Sequence, residues 1–378
     1  MIKTINPYNN KMIMSYFQHT DDDINMIIQN VNDSYKKWKN ISIKNRSFLL
    51  LDLAENLESN KLQYGKLITE EIGKPIKESI LEIIKCASVC KYYADNSESF
   101  LRNDYIKTEN SKSYVRYNPL GVVFGIMPWN FPFWQVFRFA IPTLIAGNGA
   151  ILKHASNVQG CGFAIENCFK KAGFPDNLLR NISVSGKNIE PVIKDSRISA
   201  VTITGSTPVG RSVAKTAGEN LKKTVLELGG SDPYVILEDA DIERSIQACI
   251  EGRILNTGQS CISAKRLIVV DSIYDNFLQG IKKSLMSKIM GDPNDDVDIG
   301  PMVSLEAREE VHEQVQKSII QGATLLLGGF IPEIPGAFYP ITLLSEVEPG
   351  MLAFDEEIFG PVFSIVRAKD ENHAIKLA

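Results

Sequence analysis

The chain has 378 residues, 44% hydrophobic and 23% charged, more than one ordinary core accommodates, so two domains are expected. A net charge of -4 with no cluster of Lys and Arg provides no basic field for nucleic acid or an anionic membrane and points to a small molecule as the partner. The N-terminus lacks the continuous apolar segment of a signal peptide, and no run reaches the roughly 18 apolar residues of a membrane helix; the expected location is the cytoplasm.

In chain order, residues 21 to 100 read as helical. Thr20 is the candidate N-cap, and Ile24, Ile27, Ile28, Val31, Tyr35 and Trp38 recur at helical intervals. Further helices are expected through Phe48 to Leu57 and Leu62 to Ile72, with Gly73 ending one and Pro75 suited to the first turn of the next. This region reads as scaffold. Between Tyr105 and Tyr117 two short strands flank a polar Glu-Asn-Ser-Lys turn, a hairpin that needs another surface to be stable.

From Gly121 onward, short apolar strands alternate with helices, the pattern of a parallel sheet with crossover helices. Strands are expected at Val122 to Ile126, Ala150 to Lys153, Asn181 to Val184 and Val201 to Thr204, with helices near 135–146, 159–172 and 188–194. The alternation then continues: Tyr234 to Leu237, a helix at 241–254, Arg266 to Val270, helices at 274–289 and 304–320, Thr324 to Leu327, and Val362 to Val366. A last helix begins near Glu371.

Three stretches carry candidate chemistry. Gly205-Ser206-Thr207-Pro208-Val209-Gly210 follows a strand and opens a helix, whose free N–H groups suit a pyrophosphate; the same residues also serve an ordinary strand-to-helix turn. Glu227 lies in the apolar strand Thr224 to Leu228, ahead of Gly229-Gly230. Burial would move it toward the range of a general base, whereas a solvent-facing position would make it an ordinary strand residue. Asn256-Thr257-Gly258-Gln259-Ser260-Cys261 is a polar turn ending in a candidate nucleophile. The other five cysteines, Cys86, Cys90, Cys161, Cys168 and Cys249, show no metal-site spacing and are expected to be buried and inert; no metal is expected.

Together these strings resemble the aldehyde dehydrogenase superfamily over essentially the whole chain. The others that carry the resemblance are Met127-Pro128-Trp129-Asn130-Phe131-Pro132, Lys153-His154-Ala155, and Glu356-Glu357-Ile358-Phe359-Gly360-Pro361. The implied fold is α/β: a Rossmann-type parallel-sheet NAD(P)-binding domain from 1–101 and 120–229, a β-hairpin oligomerisation arm at 102–119, and an α/β catalytic domain from 230–378. The resemblance implies that Cys261 attacks an aldehyde as thiolate, that Asn130 donates to the oxyanion, and that Glu227 activates water to hydrolyse the resulting thioester. For NAD or NADP it implies Lys153 and Ser156 at the adenosine ribose, Gly205 and Ser206 at the pyrophosphate, Glu357 at the nicotinamide ribose, and Trp129 and Phe359 nearby.

Two departures refine this. NAD-specific relatives often carry a glutamate where this chain has Ser156, so dual use or an NADP preference is expected. Arg138, eight residues after Asn130, resembles the arginine with which succinate-semialdehyde dehydrogenases bind the distal carboxylate. A second arginine found in some of them is replaced by Leu255, and a neighbouring cysteine by Ser263; the surrounding strings look like a bacterial subgroup. Family members usually continue beyond the point where this chain stops, so the chain reads as C-terminally truncated, with a dimer or tetramer expected if the C-terminus is complete. Competing readings are a split or inactive fragment that at most binds nucleotide, and a cofactor-independent esterase.

Overall fold

Thr20 caps the first long helix with a full capping box: its side chain accepts from the Asp23 N–H, and the Asp23 carboxylate accepts from the Thr20 N–H at 2.9 Å. The computed structural model containing this helix describes the backbone of residues 1–378 and every side chain except that of Lys187. Two compact units divide the chain. Unit 1 comprises Met1–Thr4, Met12–Ile68 and Ser79–Leu228; unit 2 comprises Ile5–Lys11, Thr69–Glu78 and Gly229–Ala378.

Up to the end of unit 1 the elements are β1 (Ile2–Asn6), β2 (Lys11–Tyr16), α1 (Asp21–Trp38), α2 (Ile43–Ser59), α3 (Lys61–Ile72), α4 (Ile76–Phe100), β3 (Asp104–Tyr105), β4 (Tyr114–Val115), β5 (Val122–Met127), α5 (Trp134–Ile145), β6 (Gly149–His154), α6 (Gln159–Lys171), β7 (Leu179–Asn181), α7 (Glu190–Lys194), β8 (Ile198–Gly205), α8 (Thr207–Glu219) and β9 (Lys223–Leu228). The last five strands form one parallel sheet in the order β7-β6-β5-β8-β9. With β5 first in the chain, this is the doubly wound arrangement whose order reverses at β5, and ligands of such sheets bind at the carboxyl ends of the strands. Ile24, Ile28 and Val31 of α1 join Phe124, Ile151 and Val201 of the sheet in one buried core. Side chains of this size each contribute about 1.5–3 kcal/mol on burial.

Unit 2 continues with β10 (Pro233–Ile236), α9 (Ile242–Ile254), β11 (Arg266–Val270), α10 (Asp271–Met286), α11 (Leu305–Ile320), β12 (Thr324–Leu327), β13 (Thr342–Ser345), α12 (Leu352–Asp355), β14 (Val362–Ala368) and α13 (Glu371–Leu377). Its sheet runs β10-β11-β14-β13-β12, parallel except for the antiparallel edge pair β12 and β13. Leu267, Phe363 and Ile365 pack with Ile250, Phe277 and Ile281 on one side. Ile268, Val362 and Val366 pack with Val311 and Val315 on the other.

The structure corrects several expectations. Segments 5–11 and 69–78, assigned by sequence to the first domain, have their contacts in unit 2. There the Pro7 carbonyl accepts from Ala337 N–H and Ile76 N–H donates to the Pro293 carbonyl. The strand expected at Asn181 to Val184 is displaced to Leu179–Asn181; Ile182 and Val184 are buried by core packing at its end, so their hydrophobicity mimics a strand. The hairpin near 105–117 has strands of only two residues each, all exposed. No helix among the described residues is long and apolar enough to cross a membrane.

Candidate active site

In unit 1 the sequence-predicted residues cluster by topology. Asn130 follows β5, Lys153 and Ser156 lie at the end of β6, Gly205 and Ser206 at the end of β8, and Glu227 near the end of β9. All of these are carboxyl ends of parallel strands, where a doubly wound sheet binds its ligand.

The turn carrying Asn130 is clamped from two sides. Glu82 of α4 accepts from the backbone N–H groups of Phe133 and Trp134 at 2.8 and 2.9 Å. His154 contacts the Pro132 carbonyl through Nε2 at 2.8 Å, and Nδ1 accepts from the Ala155 N–H at 3.0 Å. Complete burial pushes the His154 pKa down to about 4, against the opposing influence of the Pro132 and Met127 carbonyls. The ring is therefore neutral, with its proton on Nε2 donated to Pro132. Asn130 itself is buried, and Trp129 is partly so. Neither Glu82 nor His154 was assigned this role from sequence; an acid in an amphipathic helix carries no signal that it caps a loop some fifty residues later.

For a dinucleotide the local chemistry fits. Ser206 is exposed at the N-cap of the 13-residue helix α8 with its side chain making no cap hydrogen bond, so hydroxyl and helix N-terminus are both available to phosphate. Lys153 is buried, and desolvation lowers its pKa. Ser156 is exposed.

Glu227 does not occupy the buried position that one sequence reading required. It lies on edge strand β9, and its side chain is 53% exposed. Its charged neighbour is Arg138: from α5, Nη1 reaches Glu227 Oε2 at 3.5 Å while Nη2 donates to Thr204 Oγ1 at 3.1 Å. Both charged groups line a cavity of about 500 Å³ with Thr204, Met127, Val225 and Gln135. Gln135, one helical turn before Arg138, is buried with no hydrogen-bond partner for Oε1.

In unit 2 the loop leading to Cys261 is built on unusual backbone. Asn256, Thr257 and Gly258 have φ of 54°, 56° and 76°, a left-handed run that is costly for a β-branched threonine and persists only under strong constraint. Thr257 Oγ1 donates to the Gly300 carbonyl and accepts from the Gly300 N–H. The Asn256 N–H donates to Glu78 Oε2 at 2.7 Å, and Gln259 Oε1 accepts from Val303 N–H. At Gly258 a Cβ would lie 2.2 Å from the Gly360 carbonyl oxygen, so glycine is required by close approach as well as by φ.

Two buried cations organise this loop. The Arg253 guanidinium donates to the carbonyls of Val362 and Ile358 and to Ser263 Oγ, and burial pulls its pKa down to about 9. Lys265 Nζ donates to the Cys261 carbonyl and stands 3.2 Å from Glu357 Oε1. Its side chain is 2% exposed, and burial lowers its pKa despite the neighbouring Glu357. Cys261 and Glu357 thus share one ammonium, while Phe359 follows the anchored Ile358. Cys261 is partly exposed, whereas the other five cysteines are buried; burial raises the thiols of Cys86 and Cys90 and takes Cys168 and Cys249 to about 12.

A doubly wound sheet carrying a nucleotide-compatible helix start, together with an α/β unit presenting one accessible cysteine on a constrained turn, defines a class of two-unit α/β enzyme. The chain belongs to the aldehyde dehydrogenase family, whose model matches residues 1–378. It is similar to a probable NADP+ succinate-semialdehyde dehydrogenase of Synechocystis sp., 40% identical over 378 residues, covering 100% of this chain and 83% of the relative. The NAD(P)+ succinate semialdehyde dehydrogenase Sad of Escherichia coli is 42% identical over 376 residues, covering 99% of this chain and 81% of that protein. Among solved structures, succinic semialdehyde dehydrogenase from Streptococcus pyogenes in complex with NADP+ superposes with a TM-score of 0.97 at 33% identity, covering 100% of this chain and 84% of that one.

Proposed function

We propose that this chain oxidises succinate semialdehyde to the dicarboxylic acid, with NADP+ preferred and NAD+ accepted. The observation that carries the reading is Arg138, a guanidinium lining a cavity of about 500 Å³ beside Glu227, where the distal carboxylate of a four-carbon semialdehyde finds paired donors. Relatives of that name, and Ser156 in place of a carboxylate that would repel a 2′-phosphate, support the same choice.

Cys261 attacks the aldehyde carbon as thiolate. Asn130 and the Cys261 N–H donate to the developing oxyanion; one such preorganised donor contributes about 2.7–4 kcal/mol. Lys153, Ser206 and Glu357 would hold the ribose and phosphate groups of NAD(P)+, which would supply the hydride acceptor. Glu227 then takes a proton from the water that hydrolyses the thioester. The exposed Tyr105, Ile106 and Tyr114 of the hairpin support assembly as a homo-oligomer, checked by light scattering.

Reduced-cofactor formation followed at 340 nm tests the reading. Succinate semialdehyde should exceed butanal in kcat/KM by at least tenfold, and NADP+ should equal or exceed NAD+. A hundredfold advantage for NAD+ rejects the cofactor assignment, and equal use of the two aldehydes rejects the substrate.

A further inference from the structure

We propose that the substrate's distal carboxylate switches on thioester hydrolysis by displacing Glu227 from Arg138. The proposal rests on the reading above, in which Glu227 is the base and Arg138 the carboxylate receptor, and adds that the two hold each other in the absence of substrate.

The sheet register makes the pairing. Thr204 and Glu227 are direct partners on β8 and β9, and Arg138, reaching over from α5, divides its guanidinium between them. The Thr204 contact at 3.1 Å is a hydrogen bond, and it anchors one edge of the fork. The Glu227 contact at 3.5 Å is an ion pair between groups 38% and 53% exposed, a kind that favours the paired state by a factor of at most about five. A substrate carboxylate that accepts two parallel N–H bonds from the same fork makes the better contact. It also brings a like charge against Glu227, so that one event both removes the glutamate's partner and repels it.

The released Glu227 accepts a proton from water while the water oxygen bonds to the thioester carbon. The C–S bond then breaks, its electron pair returns to Cys261 sulfur, and the proton held by Glu227 passes to that sulfur, giving one carboxylic acid and one regenerated thiol per water consumed. No oxidant is used in this step. A neutral aldehyde of the same length acylates Cys261 but leaves the Arg138 to Glu227 pair in place, so its acyl-enzyme hydrolyses slowly.

The test is the decay of the Cys261 acyl adduct, followed by rapid quench and intact-protein mass spectrometry after one turnover with NADP+. In the unaltered protein, the butyryl adduct should decay more slowly than the succinyl adduct, and added acetate should accelerate the butyryl decay by up to about fivefold. Arg138→Gln should hydrolyse the butyryl adduct about threefold to fivefold faster than the unaltered protein, while Arg138→Lys keeps the slow rate. Butyryl decay that is unchanged or slower in Arg138→Gln, or insensitive to acetate in the unaltered protein, overturns the proposal. Failure of the underlying substrate reading is seen separately, as an Arg138→Gln loss in kcat/KM no larger for succinate semialdehyde than for butanal. The acetate experiment uses no variant and so does not depend on whether Arg138→Gln folds.

Discussion

At Cys261 the reactive atom and its surroundings divide the work. The sulfur is partly exposed, and its backbone is held through Lys265 to Glu357. Cys261→Ser should reduce aldehyde oxidation by at least a thousandfold, because an alcohol lacks the thiolate's nucleophilicity. Glu227→Gln should preserve a burst of about one reduced cofactor per chain but slow the steady state at least tenfold, since only hydrolysis needs the base. Stopped-flow absorbance at 340 nm checks both, and a Glu227→Gln enzyme without a burst, or with normal turnover, rejects the role. Of these residues, Cys261, Glu227, Asn130 and Arg138 were legible in the sequence because they lie within strings of definite order. Lys265 and Glu82 were not: each matters through a partner made adjacent only by folding.

Among the elements, the left-handed turn from Asn256 to Gly258 tolerates little change. Gly258→Ala introduces a Cβ 2.2 Å from the Gly360 carbonyl oxygen and places alanine at φ +76°. The loop must shift, and a loss of about 1–3 kcal/mol in stability, with a larger loss in thiol alkylation rate, is expected by denaturant titration and iodoacetamide trapping. Intact stability with unaltered alkylation would mean that the loop relaxes without cost. Helices and most strands followed from periodicity, since α1 through α4 bury stripes and β5 and β6 bury whole strands. β13 was missed, although it lies inside the unit 2 sheet between β12 and β14, because four residues of Thr-Leu-Leu-Ser contain too little pattern to stand out. The N-terminal pair β1 and β2 was missed as well; its strands pair with each other, and β2 has no fully buried residue.

For the whole molecule, acid stability provides a test. His154 is neutral and buried in the native state with a pKa of about 4, against an ordinary value of 6.5. The unfolded chain therefore binds more protons than the native one between these values, and stability falls as pH drops from 6.5 toward 4, by about 3 kcal/mol at most from this group. Thermal melts of His154→Gln should show a smaller loss over that window than the unaltered protein; parallel curves would show that another group dominates. The sequence by itself determined the family and the alternation of strands and helices, and it singled out Cys261 and Glu227 as the candidate nucleophile and base, because these are carried by local periodicity and by residue strings in fixed order. Only the tertiary structure decided that Glu227 faces solvent on an edge strand against Arg138, that residues 5–11 and 69–78 belong with unit 2, and that one buried ammonium serves both Cys261 and Glu357. Burial and ion pairing depend on which distant segments fill the space around a side chain, and that neighbourhood exists only once the sheets have assembled.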